Sequence, residues 1–96
     1  MRVLLTNDDG IYAGGLNRLA EVLGEMAELY VAAPDRERSG TGHSITVFEP
    51  IKVVKASLSG AREAWVVAGT PVDCVKLALN RLVKDGVDLV VSGINH

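Results

Sequence analysis

The sequence predicts an α/β domain on a mainly parallel sheet, with a β-rich excursion in its middle. Two observations predict it. Apolar runs at residues 3–6, 29–33 and 87–91 lack the apolar-polar alternation of a half-exposed strand, as expected where helices cover both faces of a sheet. Segments of helical periodicity separate them, and strand-helix-strand order implies parallel pairing with a right-handed crossover.

The first strand is Val3 to Thr6, and the chain then turns polar at Asn7-Asp8-Asp9-Gly10. From Leu16 the period changes. Leu16, Leu19, Ala20 and Leu23 form one apolar stripe, with Asn17, Arg18, Glu21 and Glu25 opposite. Leu29 to Ala33 is the second strand, closed by Pro34, so residues 3–33 form one β-α-β unit. Pro34 to Ser44 is polar and long for a connection in a compact domain, which points to a functional loop. Ile45 to Val54 and Ala64 to Ala68 are β-rich, and the polar SLSGARE between them predicts a hairpin. Thr70-Pro71-Val72-Asp73 is a helix start: Thr70 caps, Pro71 takes the first helical position, and Asp73 reaches back. Val72, Val75, Leu79 and Leu82 are the expected buried stripe, and Lys84-Asp85-Gly86 ends the helix. Val87 to Val91 is a further strand, apolar apart from Asp88, followed by Ser92-Gly93-Ile94-Asn95-His96.

The 96 residues are enough for one domain, 1–96, and 48% apolar content allows a real core. Lys plus Arg is 10 against 12 Asp plus Glu, a formal charge of -2 that argues against a protein wrapping nucleic acid. With Cys74 as the only cysteine there is no internal disulfide, and the expected setting is reducing and cytoplasmic. No apolar stretch approaches a signal-peptide core or a membrane span. Cys74 and Trp65 read as core and hairpin packing.

Ligands of such sheets bind outside the carboxyl ends of the strands. Three polar clusters fall there: Asn7-Asp8-Asp9-Gly10, the stretch Arg38 to Ser44, and Ser92-Gly93-Ile94-Asn95. The adjacent carboxylates Asp8 and Asp9 repel each other unless a cation neutralises them. They are therefore either an acidic turn or half of a metal site. Together the clusters offer carboxylate, hydroxyl and amide oxygens, a set that suits Mg²⁺ or Mn²⁺ better than zinc. Gly40 and Gly42 let backbone N–H groups approach an anion. A divalent cation beside such a loop is the equipment of phosphate-ester hydrolysis.

Four stretches in order, LLTNDDGIYAGGL, VAAPDRERSGTGHSIT, VAGTPVDCVKLAL and DLVVSGINH, resemble the successive signatures of the SurE family, the stationary-phase survival proteins. The resemblance runs from Met1 to His96. It implies a three-layer, Rossmann-like fold and a metal-dependent phosphatase acting on nucleoside 5′- and 3′-monophosphates, with some activity on polyphosphate. Carried onto matching positions, it implies that Asp8, Asp9, Ser39 and Asn95 hold one divalent cation. By the same analogy Gly40, Thr41, Gly42 and Ser44 line the phosphate pocket, with Asn7 beside them on the substrate. Asp8 orients or deprotonates the attacking water, and His43 is the candidate proton donor to the leaving oxygen. Family chains are longer and their further elements dimerise, so the resemblance implies an N-terminal portion. Family members usually carry proline where this chain has Gly14.

Rival readings are weaker. A covalent aspartyl-phosphate on Asp8 stays within the same enzyme class. A phospho-receiver domain needs an acceptor aspartate after a central strand, where this chain has Glu49-Pro50. A dinucleotide-binding domain needs a G-x-G-x-x-G turn after the first strand, which is absent. The remaining alternative is a non-catalytic metal-binding fragment.

Overall fold

The structure is a computed structural model and describes residues 1–36 and 52–93. Its elements are β1 (Arg2–Thr6), α1 (Gly14–Met26), β2 (Glu28–Pro34), β3 (Val53–Ala56), β4 (Glu63–Val67), α2 (Pro71–Leu77) and β5 (Leu89–Ser92). One sheet holds all five strands in the order β3-β4-β2-β1-β5. The pairs β1·β2, β1·β5 and β2·β4 are parallel, and β3·β4 is the antiparallel hairpin that SLSGARE predicts. Residues 45–51 of the first β-rich stretch lie outside the described residues.

Alternation along the strands sorts side chains into two layers. Val3 and Leu5 of β1 join Leu29, Val31 and Ala33 of β2 beneath Leu16 and Ala20 of α1. Leu4, Tyr30, Ala32, Trp65 and Val67 face the other way, onto Cys74 and Ala78. Helices thus cover both faces, which makes three layers around a central β1-β2 pair. Leu4, Leu5, Leu16 and Val31 are fully buried. Removing such a side chain costs about 2–5 kcal/mol.

The α1 stripe falls as its spacing predicts, with one correction. Asn17, expected on the outer face, is half-buried and turns back to donate to the carbonyls of Ala13 (2.9 Å) and Ile11 (3.2 Å). It thereby ties the first turn of α1 back to the chain that enters it, at a helix start whose Ala13 cap supplies no side-chain bond.

The α2 start is as predicted. Thr70 Oγ1 accepts from the Asp73 N–H at 3.2 Å, and Asp73 Oδ2 accepts from the Thr70 N–H at 2.9 Å. The expected stripe is rotated, however. Val72 is 60% and Leu79 42% exposed, while the small residues Cys74 and Ala78 are fully buried. Small side chains let the helix lie close on the sheet. After Leu77 the chain widens into a π turn over Ala78–Leu82, closed by Val83 N–H to Ala78 C=O at 2.9 Å. The extra residue in that turn shifts the helical phase.

Among the described residues β5 is the end strand of the sheet, with Leu89 and Val90 49% and 41% exposed. No helix among the described residues is long and apolar enough to cross a membrane.

Candidate active site

Parallel pairing brings the carboxyl ends of β1, β2 and β5 to one edge. Thr6 pairs with Ser92, and the Gly93 N–H donates to the Thr6 carbonyl at 3.0 Å. On the other side β2 runs on to Pro34, and the Asp35 N–H donates to Val67 C=O at 3.1 Å. The three polar clusters therefore leave the sheet from neighbouring strand ends, as expected of a ligand edge. Ser39, Gly40, Thr41, Gly42, His43 and Ser44 of the second cluster, and Asn95 of the third, lie outside the described residues.

The first cluster is a built turn. Asn7 is fully buried, and its amide folds back on Gly10: Oδ1 accepts from the Gly10 N–H at 3.1 Å while Nδ2 donates to the Gly10 carbonyl at 3.0 Å. The same carbonyl accepts from the Ala13 N–H at 3.2 Å. Asn7 was expected on the substrate; in the described residues its amide makes both of these bonds within the turn.

Asp8 and Asp9 are half-buried at the rim of this turn. Asp9 Oδ2 is buried and, among the described residues, has no hydrogen-bond partner. An orphaned carboxylate oxygen carries a desolvation penalty that a bound cation would relieve. The residues present therefore fit a hard divalent ion on donor chemistry. Among the described residues no group of three or more His, Cys, Asp and Glu could hold a metal. The expected partners Ser39 and Asn95 are of other residue types.

Sequence reasoning missed one group beneath this edge. Thr6 Oγ1 is buried and, among the described residues, has no hydrogen-bond partner. Near it is the fully buried Cys74. Burial pushes the Cys74 thiol up to about 12, and the neighbouring Asp73 carboxylate adds to the effect. It is thus a neutral packing group rather than a nucleophile.

The opposite end of the strands carries a separate charged cluster. Glu28 Oε2 accepts from the Tyr30 hydroxyl and meets Arg2 Nε at 3.3 Å and Arg62 Nε at 3.8 Å. Donation from Tyr30 holds the Glu28 carboxyl below its ordinary value and raises the Tyr30 phenol. A shallow cavity lined by Tyr30, Arg62, Glu63, Lys84 and Asp85 opens beside it.

Known proteins match the chain throughout. It is 71% identical over 96 residues to the 5′-nucleotidase SurE of Syntrophomonas wolfei, covering all of this chain and 36% of that protein. It is 59% identical over 97 aligned positions to the 5′-nucleotidase SurE of Desulforudis audaxviator, covering 38% of it. The crystal structure of the SurE protein from Aquifex aeolicus superposes with a TM-score of 0.81 at 42% identity, covering 99% of this chain and 38% of that one. The chain thus spans a little over a third of the length of these relatives. The family model of survival protein SurE matches residues 3–96, and on that match the chain belongs to the SurE family as its N-terminal portion.

Proposed function

We propose that this chain carries the metal-holding portion of a phosphomonoesterase that hydrolyses nucleoside 5′- and 3′-monophosphates to nucleoside and phosphate, with polyphosphate as a further substrate. The observation that carries this reading is the Asp8-Asp9 pair at the mouth of β1, with one carboxylate oxygen buried and, among the described residues, unpartnered. The names of the relatives, 5′-nucleotidase SurE, supply the reaction class.

In this reading Asp8, Asp9, Ser39 and Asn95 hold one Mg²⁺ or Mn²⁺. The bound cation supplies Lewis acidity toward a phosphoryl oxygen. The residues do the rest. Gly40, Thr41, Gly42 and Ser44 present backbone N–H and hydroxyl groups to the phosphate. Asp8 orients the attacking water and takes its proton as the water oxygen bonds to phosphorus in line. The ester P–O bond breaks, and His43 donates a proton to the leaving nucleoside oxygen. A homodimer or higher homo-oligomer and a cytoplasmic setting go with this reading.

The test is phosphate release from a panel of nucleoside monophosphates with Mn²⁺ or Mg²⁺ and with excess chelator. Release that depends on the metal and vanishes in Asp8→Asn is the expected result. Release that persists in chelator sinks the reading.

A second reading has its own observation. The edge strand β5 leaves Leu89 and Val90 half exposed, and the relatives are much longer. The chain is then a metal-binding fragment without turnover. Mn²⁺ binding with no phosphate release, in the same assay, selects it.

A further inference from the structure

The turn after β1 is fixed at one residue, Gly10. Its N–H and C=O are both held by the buried Asn7 amide, at 3.1 and 3.0 Å. Its φ is +106°, a backbone setting that favours glycine. A methyl group built on Gly10 would lie 3.0 Å from Arg36 Cα and 3.2 Å from Arg36 C, so the turn rests on the backbone that follows β2. One residue on, the Ile11 N–H donates to the Pro34 carbonyl at 2.8 Å. The first polar cluster is therefore docked backbone to backbone on the Pro34–Arg36 segment that leaves β2.

We propose that Asn7 is a positioning residue for the cation site. Its two-bond ring with Gly10 sets the direction in which Asp8 and Asp9 leave the sheet. The Gly10-Arg36 and Ile11-Pro34 contacts brace that turn on the backbone that follows β2. The inference rests on the reading that Asp8 and Asp9 hold a divalent cation. It differs from a ligand role in the sign of one substitution. Asn7→Asp keeps the acceptor for the Gly10 N–H but sets a carboxylate oxygen against the Gly10 carbonyl. A residue acting on the cation directly would bind it more tightly after gaining a negative charge. A residue acting through the turn binds it more weakly, because the ring opens.

The experiment is a Mn²⁺ titration of the full chain by electron paramagnetic resonance, without substrate. Trp65, 5% exposed, reports that each variant is folded. The expected result is an Asn7→Asp dissociation constant about tenfold or more above wild type, the scale of one lost buried hydrogen bond. Gly10→Ala keeps Asn7 and displaces Arg36; it loosens Mn²⁺ as well, and carries the test where Asn7→Asp fails to fold. Equal or tighter binding in either folded variant overturns the positioning role while leaving the metal site in place. No Mn²⁺ binding by the wild-type chain overturns the metal reading, and this inference with it.

Discussion

Gly24 of α1 and Gly60 of the β3–β4 turn meet backbone to backbone. A methyl group on Gly24 would lie 2.1 Å from the Gly60 carbonyl oxygen, and one on Gly60 would lie 2.4 Å from the Ala20 carbonyl oxygen. Gly60 also has φ +94°. The first helix and the hairpin are thus seated on each other where neither can carry a side chain.

Gly24→Ala is accordingly destabilising, although alanine is the better helix former. The helix gains roughly 1 kcal/mol in propensity, but displaced backbone costs about 2–3 kcal/mol. Urea denaturation should show a net loss. An unchanged or raised midpoint would mean that the contact yields freely.

Gly14→Pro acts in the opposite direction. Gly14 is the first residue of α1, nothing lies within 4 Å of its Cβ position, and Ala13 before it is extended at φ -66°, ψ 135°. Each condition for proline at a helix start is met. A gain of about 0.5–1 kcal/mol is expected from the restricted unfolded chain. Thermal melting of the two forms checks it.

Alkali should weaken the fold through Cys74. Its folded value is pushed up from 9.0 to about 12, so the unfolded chain loses this proton first. Stability is then fully present below pH 9 and drains away as pH rises toward 12. Cys74→Ala flattens that decline between pH 9 and 10, before Tyr30 begins to titrate in the unfolded chain at its ordinary 10.0. At pH 8 the native thiol should resist a thiol reagent that modifies the urea-unfolded chain.

Acid acts through Glu28. Its folded value lies below the ordinary 4.5, first because Tyr30 donates to it and then because Arg2 does. The stability it contributes is present above pH 4.5 and is lost as pH falls through the folded value. Tyr30→Phe removes the leading donor, so melting temperatures between pH 3 and 6 should fall less steeply with acid than in wild type. An equally steep fall in the variant counts against this account.

Much of this was legible in the sequence. The β1-α1-β2 unit, the hairpin and the Thr70-Asp73 capping box rest on local periodicity and on residue types with one structural use. One error has its origin in what is not local. The α2 stripe was assigned to Val72, Val75, Leu79 and Leu82 because size dominates a hydrophobic pattern. Val75 and Leu82 do pack on the core, but packing selected Cys74 and Ala78 over Val72 and Leu79, and the π turn shifted the phase behind them. At the site, Asp8 and Asp9 announced themselves by charge. Asn7 did not, since an asparagine before a turn looks the same whether its amide faces a ligand or its own backbone.

The pairing of β1 with β5 has a consequence for the order in which the molecule assembles. Arg2 N–H donates to Asp88 Oδ2 across 86 positions of sequence, and Val3 faces Leu89. On the ribosome, β1, α1 and β2 can meet as soon as they emerge. One edge of β1 then waits, open to wrong partners, until more than fifty further residues have been made. Closure across such a separation is slow for entropic reasons. Of the five described strands, the one that carries the acidic turn is therefore made first and sealed last.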